Sequence, residues 1–152
     1  MVGHDKLTPE GKRFFAEIEK LKQLECRVGF QQGAASSDEG VDMCDIALWN
    51  ELGTVNSPSR PFLRMSVDDN APQITQFCQA QVRKLANGGT AQEVLNSVGV
   101  FGKGLVQAKI GDGSFAPNAP STIRKKKSDK PLIDTGRMRQ SVNYVIQTKG
   151  GR

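Results

Sequence analysis

Thr90-Ala-Gln-Glu-Val-Leu-Asn-Ser-Val-Gly-Val-Phe-Gly-Lys-Gly-Leu-Val-Gln-Ala-Lys-Ile110 carries the longest helical pattern in the chain. Thr90 and Glu93 have the spacing of a capping box, in which each side chain satisfies the other's backbone N–H at the start of a helix. Val94, Leu95, Val98, Phe101, Leu105 and Ile110 then supply the apolar positions, but Gly99, Gly102 and Gly104 fall among them. A glycine inside a helix costs about 1 kcal/mol against alanine. Three of them imply a bend or another backbone packed close against this helix.

The elements around that helix follow from their own signals. Upstream, Thr8 caps a first helix, with Pro9 at its first position and Glu10 at the positive end of its dipole. Phe14, Phe15, Ile18, Leu21 and Leu24 form its apolar stripe. Cys26, Val28 and Phe30 alternate with Arg27 and Gly29 as a short half-buried strand. Residues 31–40, QQGAASSDEG, are turn-formers that read as a mobile loop. A helix is expected over 41–52, with Met43, Ile46, Ala47 and Trp49 or Leu52 inward and Gly53 ending it. Pro58 and Pro61 make 54–61 extended. A helix from about Asp69 to Ala86 has Ile74, Phe77, Cys78, Val82 and Leu85 on its inner stripe. Downstream, 111–130 reads as a second mobile loop, 134–141 as a short helix, and 141–149 as a strand alternating through Val142, Tyr144 and Ile146. The expected fold is α+β, a small, mostly antiparallel sheet packed with several helices and extended loops. Residues 1–25 form an N-terminal helix and 26–152 a single domain.

Composition narrows the function. The chain has 152 residues and a formal net charge of +5, a length suited to one core. No run approaches the roughly 18 apolar residues of a membrane span. Met1 to Lys12 has early charge and no apolar segment, so no secretion signal is expected. Cys26, Cys44 and Cys78 are odd in number without a CxxC pair, which reads as buried thiols of a cytosolic chain. Charge is segregated. Residues 1–114 hold 12 basic and 14 acidic side chains, a net −2, whereas 115–152 hold 9 and 2, a net +7. Between Val28 and Ser59 there is no basic residue, while Asp38, Glu39, Asp42, Asp45 and Glu51 are acidic. Such asymmetry points to nucleic acid, or to self-association through unlike patches.

Catalytic constellations do not assemble. Asp134-Thr135-Gly136 is the tripeptide of aspartic proteases, but that chemistry needs two braced carboxylates sharing a proton. Only 16 residues follow Gly136, too few for the rest of a lobe. Asp134 or Thr135 as a helix cap is the simpler reading. Gly99 to Gly104 does not match GxGxxG, and no GK[ST] occurs. His4 is the single histidine, so neither a metal site nor a Ser–His or Cys–His pair is available. No enzymatic activity and no cofactor are expected. Arg124-Lys125-Lys126-Lys127, with Lys130, could neutralise phosphates, yet no aromatic residue interleaves with the run. Trp49 and Tyr144 read as core residues.

Four segments in order carry a resemblance. They are Ile46-Ala-Leu-Trp-Asn-Glu51-Leu-Gly53-Thr54, Pro58-Ser-Arg60-Pro61-Phe62-Leu63-Arg64, Pro117-Asn-Ala-Pro-Ser121-Thr-Ile-Arg-Lys125-Lys, and Lys130-Pro-Leu-Ile-Asp134-Thr-Gly136-Arg-Met-Arg-Gln-Ser141-Val. The pattern resembles the small neck and tail-completion proteins of long-tailed bacteriophages and prophages. Members of that family share an A..NE.GT..IPARPFLR block and a later N..ST...K....PLIDTG.L..SI.Y.V block. The match covers roughly residues 26–147; Asn56-Ser57, Ser59 and Met138 depart from it mildly.

The resemblance implies a virion structural protein, made and assembled in the host cytoplasm. It would sit where the head connector meets the tail terminator or tail tube, as one copy of a ring expected to be a hexamer. Subunits of a ring meet through two different surfaces. Asp38, Glu39, Asp42 and Asp45 facing Arg124, Lys125, Lys126, Lys127 and Lys130 of a neighbour would satisfy that requirement. Glu51, Gly53, Arg60, Pro61, Phe62, Asp134, Thr135 and Gly136 are expected to be architectural. Within this set Pro61 holds Arg60 extended, Phe62 enters the core, and Arg60 or Arg64 meets a carboxylate such as Glu51. The alternative is a non-specific DNA-binding protein that uses the basic C-terminal third, or a ring whose lumen touches genome DNA.

Overall fold

A computed structural model of the chain describes residues 6–112, 115 and 136–150. Its elements are α1 (Pro9–Gln23), β1 (Leu24–Gly29), α2 (Met43–Leu52), α3 (Phe62–Asp68), α4 (Ala71–Ala86), α5 (Ala91–Asp112), α6 (Arg137–Ser141) and β2 (Asn143–Thr148). The fold is α+β, six helices with one two-stranded antiparallel sheet among the described residues. Helix α5 is the axis: α1, α3, α4, α6 and both strands pack against it.

The glycines of α5 explain how the sheet approaches. β1 and β2 pair from Leu24 opposite Thr148 to Gly29 opposite Asn143, which places Val28 beside Tyr144. A Cβ on Gly99 would fall 2.2 Å from Cδ2 of Tyr144, and one on Gly102 would fall 3.0 Å from Cγ2 of Val28. Two glycines on successive turns therefore form the seat for one cross-strand pair. Gly104 has nothing within 4 Å of its Cβ position, so packing does not account for it. Val145, which breaks the sequence alternation, lies on the exposed side of β2.

One core cluster joins α2, α3, α5, α6 and the residue before β2 through Met43, Ala47, Phe62, Val106, Ile110, Met138 and Val142. Phe62 is wholly buried. Its ring meets Phe30 edge to face, with centroids 5.8 Å apart.

At the other end of α5, α1 clamps the α4–α5 turn with two side chains one helical turn apart. The Arg13 guanidinium donates to Leu85 O at 2.6 Å and Gly89 O at 2.9 Å, capping the carbonyl end of α4. The Glu17 carboxylate accepts from Ala91 N at 2.8 Å at the amide end of α5. Cation on carbonyls and carboxylate on amides match the dipoles of both helices. Thr90 and Glu93 exchange hydrogen bonds as a capping box beside it.

Glu17 is buried, and the Ala91 N–H, followed by Lys20, holds its carboxyl below the ordinary carboxylate range. A carboxyl whose folded value is depressed gives stability that is present above the unfolded value and lost as pH falls through the folded one. Stability should therefore decline on acidification below about pH 4–5. Glu17→Gln should flatten that part of the profile, as read by denaturant midpoints against pH. An unchanged profile would remove Glu17 from the acid response.

Several expectations change. Phe15 is exposed while Glu17 is buried, because the apolar stripe of α1 is crossed by the clamp. Neither Trp49 nor Leu52 turns inward, Val82 is exposed with Gln81 buried in its place, and Ile74 and Cys78, expected on the inner stripe of α4, are only partly buried and border its outward side. Helix α3 occupies a segment where no helix was expected. Its N-cap, Pro61, offers no side-chain bond, and its capping carboxylate comes from Glu51, twelve residues before Leu63. No local pattern announces a helix whose cap is that remote.

Candidate assembly interface

Helix α2 and the chain leading to α3 hold most of the residues in the first family-like block. Asp42 starts α2: Oδ1 accepts from Cys44 N at 2.8 Å, and Oδ2 reaches back to Gly33 N at 2.7 Å. Both oxygens of Asp42, expected at an interface, are thus engaged in fixing the 31–40 loop to the helix. Within that loop, Asp38 is exposed and ion-paired with Arg137 at the start of α6, and Glu39 is exposed.

Gly53 ends α2 with φ 79°, a left-handed conformation that favours glycine. A Cβ there would also sit 2.8 Å from Ser59 N. The following turn, closed by paired hydrogen bonds between Thr54 and Ser57, returns the chain along the end of α2. Ser59 Oγ donates to Glu51 O at 2.7 Å, and Arg60 N to Asn50 O at 2.6 Å. Glu51 completes the corner. Its carboxylate accepts from Leu63 N at 2.8 Å and Arg64 N at 3.0 Å. The expected side-chain pairing of Arg60 or Arg64 with Glu51 is replaced by this backbone cap, worth about 1 kcal/mol by analogy with other N-caps. Arg60 is buried, and burial lowers its pKa from the ordinary guanidinium value.

The corner gives α2 two apolar faces. Met43 and Ala47 enter the core. Asp45, Leu48, Trp49 and Leu52 follow i, i+3, i+4, i+7 spacing on the outer side, with Leu48 53%, Trp49 49% and Leu52 69% exposed. Val55, in the next turn, is fully exposed. Four of the ten exposed large hydrophobic residues among the described residues thus fall within positions 48–55, and apolar side chains gathered in an exposed patch mark interaction sites. The sequence held a signal for this face. Positions 43, 46, 47, 48, 49 and 52 are apolar, too many for the single stripe of a surface helix.

Comparison with protein-family models, curated proteins and solved structures finds no match. The reading of the site rests on its own chemistry.

Arg124, Lys125, Lys126, Lys127, Lys130, Asp134 and Thr135 lie outside the described residues, as does most of the 111–130 loop. Gly136 precedes α6 with φ 78°. Among the described residues, no group of three or more His, Cys, Asp or Glu is placed to hold a metal ion. No described helix is long and apolar enough to cross a membrane. What the arrangement offers is an apolar ledge bordered by acids, held by a corner braced with backbone hydrogen bonds.

Proposed function

We propose that this chain is a structural subunit of the neck of a long-tailed bacteriophage or prophage, joining the tail to the head connector as one copy of a ring. The observation that carries the reading is the outward face of α2. Leu48, Trp49, Leu52 and Val55 stand uncovered in the same block whose Glu51, Gly53, Arg60, Pro61 and Phe62 resemble the neck family. A rigid corner that buries Phe62 and presents an apolar ledge suits assembly, since ordered side chains lose little further entropy when a partner arrives. The segregated charge supports the same reading, because unlike patches steer subunits and fix their register more than they add affinity.

Particles produced without this chain should accumulate as filled heads and separate tails in electron micrographs, and supplying the chain should restore joining. Joined, infectious particles made in its absence would contradict the proposal. The competing reading, non-specific DNA binding through the basic third, is separated by replacing Lys125, Lys126 and Lys127 with Glu. An interface role predicts failed joining. A lumen role predicts joined particles that do not retain DNA, since such contacts meet phosphates without base preference.

A further inference from the structure

We infer that the outward face of α2 seats in the outward groove of α4 on a second copy of this chain, a contact between two different surfaces. The inference rests on the assembly reading and specifies which faces meet. The outward side of α4 carries Ile74, Thr75, Cys78, Gln79, Val82 and Arg83 along one shallow, open groove of about 700 Å³. Its charge is complementary to the ledge. Asp45 is the acid exposed on the ledge of α2, which holds no basic residue, and Arg83 is the cation that lines the groove of α4, which holds no acidic one. Leu48, Trp49 and Leu52 supply apolar knobs for an apolar floor, and Asp45 lies on the same face to meet the cationic last turn of α4.

A symmetric pairing of α2 with α2 is the less favourable arrangement. It would bring together two segments, 28–59, that carry five acidic residues and no basic one, and like charges placed across an interface cost affinity. A contact of unlike surfaces leaves the ledge of one copy and the groove of the other free to continue. Such contacts generate closed rings where the rotation closes and filaments where it does not.

The groove contains its own probe. In full-length protein carrying Cys26→Ser and Cys44→Ser, Cys78 is the remaining thiol, and Leu52→Cys places a second on the ledge. A short bismaleimide joins two thiols by adding each across a maleimide double bond, with no oxidation. The expected product is a ladder of linked species that collapses to monomer when Cys78→Ser is added. Linked dimers that persist without Cys78 would show α2 meeting α2 and overturn the proposal. So would monomer throughout at high protein concentration with both thiols reactive; that result would leave the neck reading to the particle-joining experiment. With the natural cysteines retained, sedimentation should show Trp49→Asp weakening self-association about tenfold or more, as a buried aromatic anchor requires. Val145→Asp, exposed on β2, a strand that packs on β1 and α5, should leave it unchanged. Equal behaviour of the two variants would also overturn the assignment.

Discussion

Phe62→Ala should lower the stability of the folded chain by about 3–5 kcal/mol, the range for emptying a fully buried phenylalanine site. The ring is wholly buried, shares the cluster of Met43, Ala47, Val106, Ile110, Met138 and Val142, and stands edge to face with Phe30. Its loss removes contacts to α2, α5 and α6 together, and the Glu51 cap keeps α3 from sliding inward to fill the space. For a chain of this size the change corresponds to a fall in Tm of about 6–20 °C. Phe62→Leu, which retains much of the volume, should cost less. A melting temperature unchanged in Phe62→Ala would contradict the placement of this residue at the centre of the core.

Gly99→Ala should destabilise by about 2 kcal/mol, although alanine favours helix by about 1 kcal/mol over glycine. The added methyl would lie 2.2 Å from Cδ2 of Tyr144 and 2.5 Å from its Cγ. These atoms are next to the backbone of β2, so the clash is not relieved by rotating a side-chain end. Overpacking of this kind costs about 1–3 kcal/mol, and contact this close belongs at the upper end. Gly104→Ala is the opposite case. With nothing within 4 Å of the new methyl, it should stabilise by about 0.5–1 kcal/mol. Urea denaturation of the two variants should thus move the midpoint in opposite directions. Adding Tyr144→Ala should recover part of the Gly99→Ala loss, a coupling readable in a double-mutant cycle. Two shifts of the same sign would mean that Gly99 is not the seat of Tyr144.

The elements legible in the sequence are those whose signals are local. Thr8-Pro9, the Thr90–Glu93 capping box and Gly53 mark helix ends within a few residues of the groups they satisfy, and all three are used as read. Gly99 and Gly102 announced close packing because the propensity cost of a helix glycine needs a cause. Helix α3 was illegible because its cap is Glu51, across a proline-rich loop. The Arg13–Glu17 clamp was illegible for the same reason, its partners lying more than 70 residues away. The helical pattern over 41–52 turns Trp49 or Leu52 inward, because a large apolar side chain carries no local sign of whether a core or a partner covers it. Their exposure is the feature on which the assembly reading turns. The charge contrast between 28–59 and 115–152 was visible at once, but charge alone does not say which surfaces meet.

Self-assembly at a head–tail junction, the role proposed for this chain, is read out by native mass measurement of the full-length protein, alone and mixed with a purified phage head connector. The expected result is a discrete multiple of the 16.5 kDa chain mass, present alone or formed on the connector, and lost in Trp49→Asp. A chain that stays monomeric in both conditions and leaves the connector mass unchanged would contradict it.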